Sequence, residues 1–146
     1  MQLPAYLKSL GYHEIPLKKT LVGQLEVSAK VNGREAVLLV DTGASGTVFD
    51  EDSARRLCLE ARDAEAVAAG LGTTAQMAFY CEVEDLELGS LKVGKLLTRV
   101  VDLSHVKMAL AQRGAAACDG VLGADVLVSR AAVIDYRCLK LYLKDE

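Results

Sequence analysis

The chain has 146 residues, of which 51% are apolar and 25% charged, and its 17 Lys and Arg against 20 Asp and Glu leave a formal net charge of −3. That balance suits one globular domain with a single core, and the acidic excess with no basic cluster argues against a nucleic-acid or anionic-membrane surface. No apolar run is long enough to span a bilayer, and residues 1–20 lack the continuous apolar core of a signal peptide, so a cytoplasmic protein is expected.

Residues 1–18 read as a loosely packed lead-in, because Pro4, Gly11 and Pro16 interrupt any regular pattern; a single domain is expected over residues 19–146. From Gln24 to Lys30 the chain alternates, with Leu25, Val27 and Ala29 on one face and polar side chains on the other. A period of two predicts a half-buried strand. Asn32-Gly33 suits the two positive φ values of a type I′ turn. The following Ala36-Val37-Leu38-Leu39-Val40 is apolar on both faces, which predicts a strand covered on both sides. It ends at Asp41, an expensive place for a carboxylate unless a site uses it.

Asp50 is placed to cap a helix running through Ser53 to Leu57. Met77, Phe79, Cys81 and Val83 alternate inward, and Leu86, Leu88, Val93, Leu96 and Val100-Val101 predict further strands broken at Gly89 and Gly94. Ser104 to Gln112 reads as a helix with a serine N-cap and Gly114 just past its end. The last third holds Val121-Leu122-Gly123, a helical turn near Asp125–Ser129, and strands around Ala132–Ile134 and Leu139–Leu143. Many short strands at close spacing predict a mostly-β closed or folded barrel with one or two short helices.

Cys58, Cys81, Cys118 and Cys138 are widely separated, and only His13 and His105 could join them. This spacing argues against a zinc site and predicts buried, reduced thiols, with disulfides the alternative in an oxidising compartment; neither a metal nor a cofactor is expected.

Composition and periodicity end at a compact β-rich domain. The residues that go further are Val37-Leu38-Leu39-Val40-Asp41-Thr42-Gly43-Ala44-Ser45. Asp-Thr-Gly alone is an acceptable turn at a strand end, but here it has company. A hairpin precedes it. A Gly-containing segment, Ala69-Gly70-Leu71-Gly72-Thr73-Thr74, follows it. Later come Asp119-Gly120-Val121-Leu122-Gly123-Ala124-Asp125 and a closing strand, Ala132 to Tyr136. In this order the landmarks resemble those of the retropepsins, the single-domain branch of the aspartic peptidases, over residues 20–143.

That resemblance implies a retropepsin-like barrel and an aspartic endopeptidase in which Asp41 is the catalytic carboxylate. It implies that Thr42, Gly43 and Ala44 support the active-site loop, with the Thr42 hydroxyl bracing backbone across a two-fold axis. It places a substrate-covering flap at Gly70, Leu71 and Gly72, and it puts Leu122 and Gly123 beneath the active site as structural residues. The chemistry suits the residues. Metal-free peptide hydrolysis needs one group to deprotonate water and another to protonate the carbonyl oxygen. Two carboxylates a few ångströms apart do both, because repulsion prevents both from ionising. Only one Asp-Thr-Gly is present, so one chain supplies half of such a pair. A homodimer acting on extended peptides is the simplest working unit.

Two departures from the family pattern stand out. Retroviral enzymes commonly pair Asp and Arg where this chain has Ser45 and Ala124, so the resemblance implies different dimer contacts. Ala44 replaces a hydroxyl donor common in pepsin-like enzymes, which predicts a mildly rather than strongly acidic activity optimum. Ser45 does not make a serine-hydrolase motif, because Thr47 stands where G-x-S-x-G needs its last glycine. Asp119, Gly120 and Asp125 read as structural, with Asp125 bordering the helical turn. The alternatives are a catalytically silent dimerisation or peptide-binding module of the same fold, and a monomer that takes its second carboxylate from a different partner.

Overall fold

Alternating apolar residues dictate where the sheets form and which faces they bury. The computed structural model describes residues 1–62 and 79–145. Strands β3 (Leu25–Val31) and β4 (Arg34–Val40) make a hairpin through Asn32 and Gly33, whose φ values of 50° and 81° are those a type I′ turn requires. In β3, Leu25, Val27, Ala29 and Val31 are buried, as the period predicts.

The main sheet runs β2 (Lys18–Lys19), β3, β4, β8 (Gly120–Leu122), β5 (Val48–Asp50), β7 (Leu91–Val101) and β6 (Phe79–Leu88); β6 also pairs with β3, closing a barrel. Its interior holds Val27, Leu38, Phe49, Val83, Leu86, Leu88, Leu91 and Leu122. Each such leucine or phenylalanine contributes about 1.5–3 kcal/mol by leaving water. A second sheet, β1 (Tyr12–Pro16), β10 (Lys140–Lys144) and β9 (Val133–Asp135), packs Ile15, Leu141 and Leu143 into the same core.

Strand β4 is covered on both sides, as its sequence predicts. Leu38 faces the barrel interior, whereas Leu39 joins a smaller cluster with Leu110 and Cys118 under α3 (Ser104–Gln112). The parallel pairing of β4 with β8, which sets Val40 opposite Leu122, brings two distant segments out of the sheet side by side. This pairing positions the candidate site.

The structure corrects several expectations. The first eighteen residues are not loosely packed: α1 (Leu3–Ser9) and β1 lie there, with Leu7, Ile15 and Leu17 buried. Pro4 starts α1 instead of breaking it, since the first turn has no use for the missing N–H. With α2 (Glu51–Arg56) and α4 (Ala124–Ser129), four short helices are present among the described residues, against the one or two expected. Gly94 does not interrupt β7 but sits opposite Leu86 where the β6–β7 register shifts. Phe79 is exposed, and Met77 lies outside the described residues. Ser104 is not an N-cap: Asp102 accepts its backbone N–H at 2.9 Å, and the capping residue, Leu103, makes no side-chain bond. All four cysteines are free, but only Cys81 and Cys118 are buried; Cys58 and Cys138 are exposed. No helix among the described residues is long and apolar enough to cross a membrane.

Candidate active site

The β4 strand hands the chain to Asp41 at the rim of the barrel. The Asp41 N–H donates to the Leu122 carbonyl at 3.1 Å, extending the β4–β8 pairing by one bond. The chain then turns, with the Ala44 N–H on the Asp41 carbonyl at 3.2 Å. This turn aims the Gly43 N–H at the Asp41 carboxylate, 2.9 Å from Oδ1, and leaves the acid exposed.

The loop is tied from below by the segment after β8. The Ala124 N–H donates to the Ala44 carbonyl at 2.7 Å. Thr47, 1% exposed, is the junction. Its hydroxyl donates to Asp125 Oδ1 at 2.8 Å and accepts the Gly123 N–H at 3.1 Å, while its own N–H reaches Asp125 Oδ2 at 3.0 Å. Asp125 therefore does more than border α4: it braces the loop that carries Asp41. Gly123 is required by contact. A Cβ there would lie 2.5 and 2.6 Å from the Gly46 carbonyl carbon and oxygen and 3.0 Å from the Ala44 oxygen.

Behind the site, Asp119 accepts the Val37 N–H and the Ser53 hydroxyl, each at 2.8 Å, and pairs with Arg56 at 2.7 Å. Burial alone would raise its carboxyl; the Val37 N–H, Arg56 and Ser53 outweigh burial and hold it below the usual carboxylate range. These contacts pin β4 to α2 and to the start of β8.

A recess of about 360 Å³ opens beside Asp41, lined by Thr42, Leu39, Val40, Val121, Val106, Ile134 and Tyr136 among others. Val121 is half-buried and faces this recess. Other recesses are larger: one of about 440 Å³ lies against Ser28, Lys30, Glu35 and Glu87, and one of about 490 Å³ lies against Thr42, Ala124, Leu127 and Val128. Size does not select the site. The Asp41 recess is distinguished by an accessible carboxylate with a directed N–H donor.

Residues 27–126 match the family model for aspartyl proteases. The chain belongs to this family. The match contains both Asp41-Thr42-Gly43 and the Asp119–Asp125 segment. The fold is that of a retropepsin-like aspartic protease from Rickettsia conorii, which aligns at a TM-score of 0.59 and 17% identity over 91% of this chain and 90% of that one. The retroviral protease-like domain of Ddi1 from Leishmania major aligns at a TM-score of 0.53 and 18% identity, covering 84% of this chain and 90% of that one. No curated protein matches the sequence.

Set against the family's landmarks, the structure gathers Asp41, Thr42, Gly43, Ala44, Leu122 and Gly123 into one loop system. Leu122 is fully buried, and its carbonyl receives Asp41. The Thr42 hydroxyl is exposed and finds no partner among the described residues. Gly70, Leu71 and Gly72, the expected flap, lie outside the described residues. Sequence reasoning missed Thr47, Val106 and Tyr136. Nothing in their local patterns marks them: Val106 and Tyr136 come to the recess from distant parts of the chain, and Thr47, though close to Asp41 in sequence, acts through the distant Asp125.

Proposed function

We propose that the protein is an aspartic endopeptidase in which Asp41 of two protomers forms the carboxylate pair that activates water. The carrying observation is the Asp41 carboxylate itself, exposed at the end of a buried strand, with the Gly43 N–H 2.9 Å from Oδ1 and a recess beside it. One of the two carboxylates takes a proton from water as it attacks the scissile carbonyl, and the protonated partner donates to the carbonyl oxygen. The Gly43 N–H holds the acid in place for the dyad, and Thr42 braces the loop across the two-fold axis.

A single chain offers one such carboxylate, so a homodimer is part of the proposal. The apolar surface adjoining Thr42 supports it. Val128 is 77% and Tyr136 is 69% exposed, and Leu127, Ala132 and Ile134 line the recess between α4 and the loop. An exposed apolar patch beside a half-site is where a symmetric copy would be seated. With neither Asp at Ser45 nor Arg at Ala124, that interface would rest on apolar contact, not on an ion pair.

The test is Asp41→Asn in a peptide-library cleavage assay read by mass spectrometry. Product formation should fall at least about a thousandfold, because the substitution removes both carboxyls of the symmetric pair and leaves neither acid nor base, while the melting temperature changes little. Undiminished cleavage would reject Asp41 as catalyst. Peptide binding by the wild type without any cleavage would favour the silent binding module.

A further inference from the structure

Helix α3 and the loop before β3 surround a second recess of about 330 Å³, lined by Val22, Gln24, Val106, Ala109, Leu110 and Arg113. It shares Gln24 and Val106 with the Asp41 recess, so the two lie side by side with Val106 between them. Its walls are mostly apolar, and its floor is continuous with the Leu39–Leu110–Cys118 cluster, against which Val22 and Val106 pack. Arg113 ends it. This guanidinium is exposed and has no ion-pair partner among the described residues, and α3 itself, Ser104 to Gln112, contains no acidic residue.

We propose that this recess is an outer substrate subsite that selects peptides carrying an apolar side chain against Val106, Ala109 and Leu110 and an acidic side chain on Arg113. The inference rests on the endopeptidase reading of Asp41 and names the substrate class for it. Three features support this occupant. The recess continues from the candidate active site, so a peptide extended across Asp41 is carried into it. The apolar lining excludes water from one side of the bound chain. Among the described residues, Arg113 is the one charge on its rim and has no ion-pair partner, on a protein whose net charge is −3, so the preference for an acidic group is local and not a property of the whole surface.

The experiment scans Glu, Ala and Lys through each flanking position of peptides with an apolar central pair, and reads kcat/KM for the wild type and for Arg113→Glu. One position should favour Glu over Lys by about threefold at low salt, the scale of an exposed ion pair, with the preference fading at high ionic strength. Arg113→Glu should invert the ratio at that position. Ala109→Trp, on the exposed side of the helix, should shift the accepted apolar residue to a smaller one.

The same peptides, fluorescein-labelled and titrated onto Asp41→Asn by anisotropy, should show the same ratio and the same inversion in the double variant. If no peptide is cleaved but binding discriminates in this way, the subsite stands and the endopeptidase reading fails. Equal use of Glu and Lys, or a preference that survives Arg113→Glu, overturns the subsite. Arg113 acting only on the carbonyl end of α3 would alter the melting temperature and leave the ratio untouched, which also overturns it.

Discussion

Thr47 carries three bonds that no neighbour in sequence could supply. Its hydroxyl and N–H hold Asp125, and the same hydroxyl receives Gly123, so this one buried side chain joins the loop after Asp41 to the loop after β8. Thr47→Val keeps the shape and the backbone N–H to Asp125 but removes the hydroxyl donor to Asp125 Oδ1 and leaves the Gly123 N–H without its acceptor. The expected loss is about 2–3 kcal/mol of stability, read as a lower urea midpoint, whereas Thr47→Ser should lose less than half as much. Gly123→Ala acts by contact instead. Its Cβ would press on backbone at Gly46 and Ala44, neither of which can swing away as a side chain would. We expect a loss of about 1–3 kcal/mol by overpacking and a larger proportional fall in peptide cleavage than in folded fraction, because the displaced segment carries Asp41. The Asp41 motif was legible as a string of adjacent residues. Thr47 was not, because its partners lie in a segment more than seventy residues away.

Among the elements, α2 and α3 are locked together by one acid. Asp50 caps α2 by accepting the Asp52 N–H at 3.2 Å, accepts the Leu103 N–H at 3.0 Å just before α3, and binds the Lys107 ammonium within α3. Burial alone would raise the Asp50 carboxyl, but Lys107 and the two N–H donors outweigh it and hold it below its ordinary value. A carboxyl depressed by folding contributes stability that is present above its unfolded pKa, about 3.9, and is lost as pH falls through the folded value. Chemical denaturation between pH 5 and pH 2 should therefore show a steeper loss in the wild type than in Asp50→Asn. Lys107→Met removes the cation and leaves the acid nearly buried. It should destabilise the protein by about 3 kcal/mol at neutral pH, with much of that loss absent in the Asp50→Asn background. Asp50 as a cap was readable from its place before a helical run, but its tie to Lys107 was not, since only the parallel β5–β7 pairing brings α3 over α2. The first eighteen residues show the opposite failure. Proline and glycine there looked like breaks, yet Pro4 opens a helix, Gly11 turns the chain at φ 89°, and β1 finds its partner in β10 at the far end of the sequence.

At the scale of the whole molecule, the proposed pairing of Asp41 from two copies makes activity a question of assembly. If two copies meet over the apolar face beside Thr42, specific activity should rise with protein concentration and level off, and sedimentation should report a dimer over the same range. Val128→Glu, at an exposed helical position, should shift that curve to about tenfold higher concentration or beyond, the effect of roughly 1.4 kcal/mol of lost apolar contact, without lowering the melting temperature of the monomer. An unchanged sedimentation profile would place the interface elsewhere.

The amino-acid sequence by itself determined the β hairpin, the doubly covered strand and the position of the Asp-Thr-Gly turn, because each depends on residues next to one another or two apart. Helix ends and glycine turns were partly determined in the same way. The tertiary structure decided which distant segments meet: β8 beside β4, Asp125 under Thr47, α3 beside Asp41, and the amino-terminal strand in the sheet with β10. Side-chain period sets which face of a strand is buried, but the choice of neighbour is made by the packing of the closed barrel as a whole.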